Sequence, residues 1–407
     1  MFIKNFRKLL LFRKKCDKIR KEDYFSKKEV IFVRRMKMVI LDLKLDNFYA
    51  FKNFHMSMTY PKKIIGSCIE EEHLAGRSNF RYKKINIIMG ANASGKTTLG
   101  HALMKIFNFI DKKNYEFITR IICDQTKEAS FMLDIATNDN VLYNISCKIP
   151  PREGENYTAS DICLEIRSAN IWVNDSYESC ISRMKKASYS FNGNYIEELE
   201  KMAKLDWMFE YPKDTERKVI IPKNDDKFQI VLEKILRALD PSINCVEKSQ
   251  DVDNAYVIRI KEKAIILQDG ESFDTNILSS GTKAGVEVAK VVSTLIQGKN
   301  TFYYCDEKFS YIHSEIEKAI LSLMIDSMGS NSQMFFTTHN MDMLDLNLPK
   351  HSFTFLTKDA NNDSCPINCI SASSFLKKSS DSLKNAVEND LFCTAPSVDL
   401  IYDIAEL

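Results

Sequence analysis

Glycine is scarce in this chain, with 12 in 407 residues, under half the usual share of about 7%. That excludes a collagen-like repeat, and it makes any glycine motif more informative. No stretch approaches the roughly 18 consecutive apolar residues of a membrane span. Long heptad arrays, internal repeats and low-complexity tracts are also missing. The 11 cysteines are odd in number and have no paired spacing. Cys365 and Cys369 are the closest pair, and no second Cys/His pair stands near to complete a zinc site. A disulfide framework is therefore excluded, and reduced, mostly buried thiols in a cytoplasmic protein are expected. The apolar stretch Leu9-Leu10-Leu11-Phe12 is too short for a signal-peptide core.

What is present is ordinary globular composition, 44% apolar and 28% charged, with chain enough for two or three folding units. The net charge of +2 is unevenly spread. Residues 1–38 hold 14 Lys/Arg and 4 Asp/Glu, which leaves 43 basic and 51 acidic residues in the other 369. The body is thus mildly acidic. Residues 1–37 read as a basic amphipathic arm suited to nucleic acid or an anionic surface. The favoured reading is blander: a dispensable arm, or a stretch ahead of a start at Met36 or Met38.

From Met38 the pattern is α/β. Alternation and short apolar runs predict strands over 39–45, 54–59, 85–89, 130–136, 141–148, 255–260, 263–267, 301–305 and 334–338. Helical spacing follows the third of these through Leu99, Ala102, Leu103, Ile106 and Phe107, and recurs over 194–208, 226–239, 284–297 and 313–327.

Gly90-Ala91-Asn92-Ala93-Ser94-Gly95-Lys96-Thr97 fits G-x-x-x-x-G-K-[ST], the phosphate-binding loop. It lies after a buried-type strand and opens an amphipathic helix, the context that confirms the motif. The glycines let backbone N–H groups wrap a β-phosphate, Lys96 neutralises β/γ charge, and Thr97 offers a hydroxyl to Mg²⁺. Thr98 completes the first turn. Phe302-Tyr303-Tyr304-Cys305-Asp306-Glu307 is an apolar strand ending in two carboxylates, the Walker B pattern. Asp306 would hold the Mg²⁺ shell, and Glu307 would orient the attacking water. Leu278-Ser279-Ser280-Gly281-Thr282 precedes a helix, where Ser279 and the Gly281 amide can meet phosphate, or simply cap the helix. In Met334-Phe335-Phe336-Thr337-Thr338-His339-Asn340, His339 ends a strand and can contact a γ-phosphate.

The order of these four motifs resembles ABC-type ATPases of the RecF/SMC/OLD-like branch, over about residues 39–360. The resemblance implies an α/β fold: an ABC-type P-loop head with mixed and parallel sheet, plus a smaller, mainly helical lobe. It divides the chain into 38–150, the first part of the head with the phosphate loop, and 151–250, the lobe. Residues 251–360 are the second part, with signature, Walker B and His switch, and 361–407 the C-terminal segment. It implies ATP and Mg²⁺ as cofactors, with Lys96, Glu307 and His339 catalytic and Thr97 and Asp306 at the metal. Gln125 is a poor-fitting candidate for the Q-loop residue at the Mg²⁺. Ser279 and Gly281 would act in trans on ATP sandwiched in a head-to-tail homodimer or higher homo-oligomer. His313 resembles the stretch that contacts the partner subunit. Ile312-His313-Ser314 departs from the usual Leu-His-Pro, and Lys308-Phe309-Ser310 is unusual there.

Lys96 and Ser279 are 183 positions apart, without the heptads of a long SMC-like arm. The 68 residues after His339 are too few for a Toprim nuclease. The expected function is an ATPase acting as a switch for a separate effector. That effector would be a nuclease or toxin from a neighbouring gene, in bacterial anti-phage defence. The alternatives are a RecF-like genome-maintenance ATPase, with DNA as a partner, and a slow-turnover ATP-locked binding switch. A basic groove from Lys62, Lys63, Arg77, Arg81, Lys83 and Lys84, or only a solvated charged face, is expected ahead of the phosphate loop.

Overall fold

A computed structural model describes residues 35–64, 66–152, 154, 156–186, 194–211, 225–250, 252, 255–268, 271, 272, 279–299, 301–359, 361–378, 381–394, 402 and 404. Residues 1–34 of the basic arm expected over 1–37, and Leu278 of the signature, lie outside the described residues. The described residues from 35 onward form one compact unit.

In chain order the strands begin with β1 (Met38–Asp46), β2 (Phe54–Ser57), β3 (His73–Leu74), β4 (Arg77–Arg81), β5 (Ile85–Met89), β6 (Ala129–Thr137) and β7 (Val141–Ile149). They continue with β8 (Cys163–Asn170), β9 (Trp207–Glu210), β10 (Ile243–Lys248), β11 (Ala255–Ile260), β12 (Lys263–Gln268) and β13 (Glu271–Ser272). The last are β14 (Phe302–Asp306), β15 (Gln333–Thr337), β16 (Phe353–Lys358) and β17 (Ile367–Ser371). The helices are α1 (Lys96–Lys112), α2 (Glu116–Thr119), α3 (Tyr177–Lys186), α4 (Tyr195–Glu200), α5 (Asp226–Leu239), α6 (Ser280–Ile296), α7 (Ser314–Asp326), α8 (Ala372–Phe375) and α9 (Leu383–Glu388).

The site is built on a six-stranded sheet ordered β17-β16-β5-β15-β14-β9. Five of its strands run parallel, and β17 returns antiparallel. Such a sheet is covered on both faces and needs apolar side chains on both. Accordingly β5, β14 and β15 are buried at every position. Strand alternation then divides them. Phe302, Tyr304, Phe335 and Leu356 face one core, shared with α1 and the antiparallel sheet. Tyr303, Cys305, Met334, Phe336 and Phe355 face a second core, shared with α5, α6 and α7.

The antiparallel sheet is ordered β2-β1-β6-β7-β8. Its β1 slips register against β6 between Ile40 and Asp42. The slip keeps Met38, Ile40, Leu43 and Leu45 on the α1 side, although their spacing changes from two to three. Val39 and Leu41 face the other way, against Phe80, Tyr82 and Met184. A third sheet, β10-β11-β12-β13, closes the second core, and β3 and β4 form a small pair of their own.

Most expected elements are found within a residue or two. The expectation over 194–208 is corrected: the helix stops at Glu200, and Trp207–Glu210 becomes β9, edge strand of the main sheet beside β14. Residues 151–250 were expected as a mainly helical lobe. Beside α3, α4 and α5 they supply β8 to the antiparallel sheet, β9 to the main sheet and β10 to the third. Strands β16 and β17, which were not expected, widen the main sheet next to β5.

Candidate functional site

Strand β5 delivers the chain to the phosphate loop at the carboxyl edge of the main sheet, where a parallel sheet places its ligand crevice. At Gly90 a Cβ would collide with the carbonyl oxygen of Leu356 and stand 2.6 Å from Ser94 Oγ. Gly95 precedes α1 at φ +102°, a conformation that L side chains rarely adopt, and Ala93 turns the loop at φ +63°. No side chain caps α1. Its first-turn N–H groups and its dipole are therefore presented to an anion. Asn92 and Ala93 are exposed, and Ala91 and Thr98 are half-buried. Ser94 Oγ is buried without a hydrogen-bond partner among the described residues.

Lys96 is almost wholly buried and donates to the carbonyls of Gly90 (2.8 Å) and Ala91 (3.2 Å). Its own carbonyl accepts from the buried Tyr304 hydroxyl at 2.6 Å, which ties the first turn of α1 to β14. Thr97 donates to Asp306 Oδ2 at 2.6 Å, and Thr337 donates to Asp306 Oδ1 at 2.5 Å. Burial pushes the Asp306 carboxyl up, and the two hydroxyl bonds oppose that. The sheet register makes this possible, because Asp306 lies beside Thr337 on β15.

Glu307 follows at φ +43°. Its N–H meets the Thr337 hydroxyl at 2.9 Å and the Thr337 carbonyl at 3.2 Å. Its carboxylate stands 3.3 Å from Lys96 Nζ and 3.8 Å from His339 Nδ1. Behind it, the buried Glu317 of α7 accepts from Asn340 Nδ2 at 2.7 Å and from Thr338 Oγ1 at 3.5 Å. Burial raises the Glu317 carboxyl, and these two bonds pull it back. Four successive residues thus serve the strand end: Thr337 holds Asp306, Thr338 and Asn340 hold Glu317, and His339 reaches Glu307.

The structure therefore gathers Lys96, Thr97, Asp306, Glu307 and His339 from three adjacent strand ends. It also shows neighbours of the site to which the motifs assigned no role. Thr337 and Tyr304 lie inside quoted motifs and Glu317 outside them, and each is recognised only by its cross-strand or cross-helix partner. Gln125 is exposed in the turn before β6 and lines a cleft with Tyr115, Arg120 and Tyr157 that contains no phosphate-loop residue. Ser279 caps α6, accepting from the Thr282 N–H at 3.1 Å. A Cβ on Gly281 would lie 2.9 Å from the Tyr311 carbonyl. His313 caps α7, with its ring accepting from the Glu315 N–H. The expected basic groove is rearranged: Lys83 and Lys84 are buried, donating to Ser371 Oγ and the Glu70 carbonyl. Lys62 and Lys63 instead share a cleft of about 440 Å³ with Lys350, Lys377 and Lys378.

A nucleotide and a magnesium ion fit what is there. The loop offers free helix-end donors, the orphaned Ser94 hydroxyl suits a phosphate oxygen, and Thr97 with Asp306 is a hard oxygen pair. Among the described residues no cluster of three or more His, Cys, Asp or Glu could hold a metal by itself. A cavity of about 410 Å³ opens against Gly90, Ala91, Asn92 and His339, with Met89, Met341 and Phe355 among its apolar walls. Among the described residues no helix is long and apolar enough to cross a membrane.

No protein-family model matches the chain, and no curated protein matches it. Solved structures do. The SMC head domain from Thermotoga maritima is 13% identical with a TM-score of 0.42, over 82% of this chain and 98% of that one. An Smc head domain with an extended coiled coil, bound to the C-terminal domain of ScpA derived from Pyrococcus furiosus, is 13% identical with a TM-score of 0.46, over 84% and 98%. The recombination mediator protein RecF with ATPrS is 11% identical with a TM-score of 0.44, over 83% and 100%.

Proposed function

We propose that this protein is an ABC-type ATPase that binds ATP with Mg²⁺, hydrolyses it to ADP and phosphate, and closes on a second copy of itself while ATP is held. The observation that carries the reading is Asp306, clamped between the Thr97 and Thr337 hydroxyls, with Glu307 next to it facing Lys96 and His339. Gly90–Thr98 wrap and neutralise the phosphates, with Lys96 turned from the loop carbonyls to the β/γ oxygens. Thr97 and Asp306 hold the ion, which neutralises charge on the phosphates. Glu307 accepts a proton from the attacking water and orients it, and His339 senses the γ-phosphate from the neighbouring strand end. Ser279 and Gly281 complete the site of the opposite copy, and Gln125 has no role in it.

We further propose that this cycle switches a separate effector, a nuclease or toxin, in antiviral defence in the cytoplasm. That setting is supported by the motif resemblance. A genome-maintenance role is favoured by a different observation, the five lysines of the 440 Å³ cleft, a surface suited to nucleic-acid phosphates.

Turnover of the wild type, Lys96→Ala and Glu307→Gln, together with nucleotide binding, tests the reading. Lys96→Ala loses binding. Glu307→Gln binds ATP and accumulates as a dimer. A wild type that binds ATP without releasing phosphate would leave only the locked-switch alternative. Co-purification with Glu307→Gln separates a dedicated effector from DNA with repair proteins.

A further inference from the structure

Directly after Glu307 the chain buries a charge that the reaction does not use. Lys308 is 5% exposed, and its ammonium is paired with Glu287 and lies 3.9 Å from Glu210. It also donates to the Tyr211 carbonyl. Glu210 is bonded in turn by Lys290 at 2.7 Å. Two lysines and two glutamates, each less than a fifth exposed, thus form a neutral knot. Its members come from three places. Glu287 and Lys290 lie on α6, Glu210 ends β9, and Lys308 leads the turn that follows β14.

The turn over 307–312 also passes close to α6 at a second point, where a Cβ on Gly281 would lie 2.9 Å from the Tyr311 carbonyl. Within the turn, Ser310 Oγ donates to the Glu307 carbonyl at 2.7 Å. The segment that carries Glu307 at positive φ is therefore fixed from two sides. Thr337 holds its amide, and α6 holds its continuation through the Lys308–Glu287 pair. The N-terminus of α6 carries Ser279 and Gly281.

We propose that Lys308 is a positioning residue. Its ion pair with Glu287 locks the Glu307 turn to α6, so that turnover depends on where α6 stands. The inference rests on the ATPase reading above. Glu307 orients water only while α6, with the face offered to a second copy, is in register with the turn. Buried ion pairs are weak evidence for stability, and neutral replacement of both partners is often tolerated. The positional role and a merely structural one are therefore separable.

The test compares wild type, Lys308→Met and the double variant Lys308→Met/Glu287→Gln. The readouts are thermal unfolding, ATP affinity from a fluorescent analogue, and kcat and KM for phosphate release. The double variant leaves the Lys290–Glu210 pair intact. It is expected to keep the wild-type Tm within a few degrees and ATP affinity within threefold, while kcat falls at least tenfold. Lys308→Arg is expected to recover at least half of the lost turnover. A double variant with wild-type kcat overturns the inference alone. So does one whose kcat, affinity and Tm all fall together. A wild type that binds ATP without turnover overturns the ATPase reading, and this inference with it.

Discussion

Asp306 shows how a buried carboxylate is kept usable. Burial favours its neutral form and keeps the carboxyl above the ordinary range, and two hydroxyl donors partly offset that toward the anion a metal would require. Thr337→Val removes one donor and leaves the other. Partners of this kind typically contribute 10–100-fold in metal affinity. A loss of about tenfold in apparent Mg²⁺ affinity is therefore expected, read by titrating Mg²⁺ against turnover, with little change in unfolding temperature. In the proposed mechanism Glu307 has a different task. Glu307→Gln keeps the shape and loses the base, and turnover should fall by about 100-fold or more, with ATP binding retained in a direct binding assay. The motifs name Asp306 and Glu307 because each motif is contiguous. Thr337 lies 31 residues beyond Asp306 and becomes its partner only through strand pairing.

The helices and strands were legible where local pattern and burial agree. Helix α5 is found over 226–239 as its apolar spacing predicts, with Asp225 capping it through the Phe228 N–H. Strand β9 was not legible. Trp207-Met208-Phe209-Glu210 is only four residues long, and what makes it a strand is pairing with Phe302–Cys305, almost a hundred residues away. Helix α6 shows both sides at once. Its cap at Ser279 is local, whereas its docking to the Glu307 turn is tertiary. Removing the cap alone in Ser279→Ala should cost about 1 kcal/mol, measured by urea unfolding. If Ser279 also serves the nucleotide of a second copy, mixing Ser279→Arg with Lys96→Ala should restore turnover that neither has alone. In a head-to-tail pair one of the two sites is then intact. Absence of restoration would argue for a site made within one chain.

The antiparallel sheet carries a pH-sensitive element of the fold, away from the phosphate loop. Asp42 and Asp134 are direct cross-strand neighbours, and both are buried. Asp134 accepts from Tyr177 at 2.5 Å and from Asn144, and Asp42 meets His55 at 2.8 Å. Burial, with a smaller contribution from Asp42, pushes Asp134 up to about 6 against hydrogen bonds from Tyr177 and Asn144. The folded protein then binds the proton more tightly than the unfolded chain. Stability from this group is complete below about pH 4 and is lost as pH rises through about 6. The difference between this carboxyl and an ordinary one corresponds to about 3 kcal/mol. Asp134→Asn should flatten the fall in denaturation midpoint between pH 4 and 6. An unchanged slope would assign that dependence to other groups.

The chain alone determined the chemistry on offer: a loop of fixed glycine spacing, a strand ending in two carboxylates, a serine-capped helix and a strand ending in histidine. These are short-range patterns, in which backbone conformation and burial are set by residues a few positions apart. Tertiary structure alone decided which side chains meet. It placed Thr337 on Asp306, Glu317 against Asn340, and Lys308 against Glu287, and it gathered five lysines from opposite ends of the sequence into one cleft. The parallel sheet is the physical reason. Its neighbours are brought together by crossovers of many residues, so partners at one strand edge share no local signal.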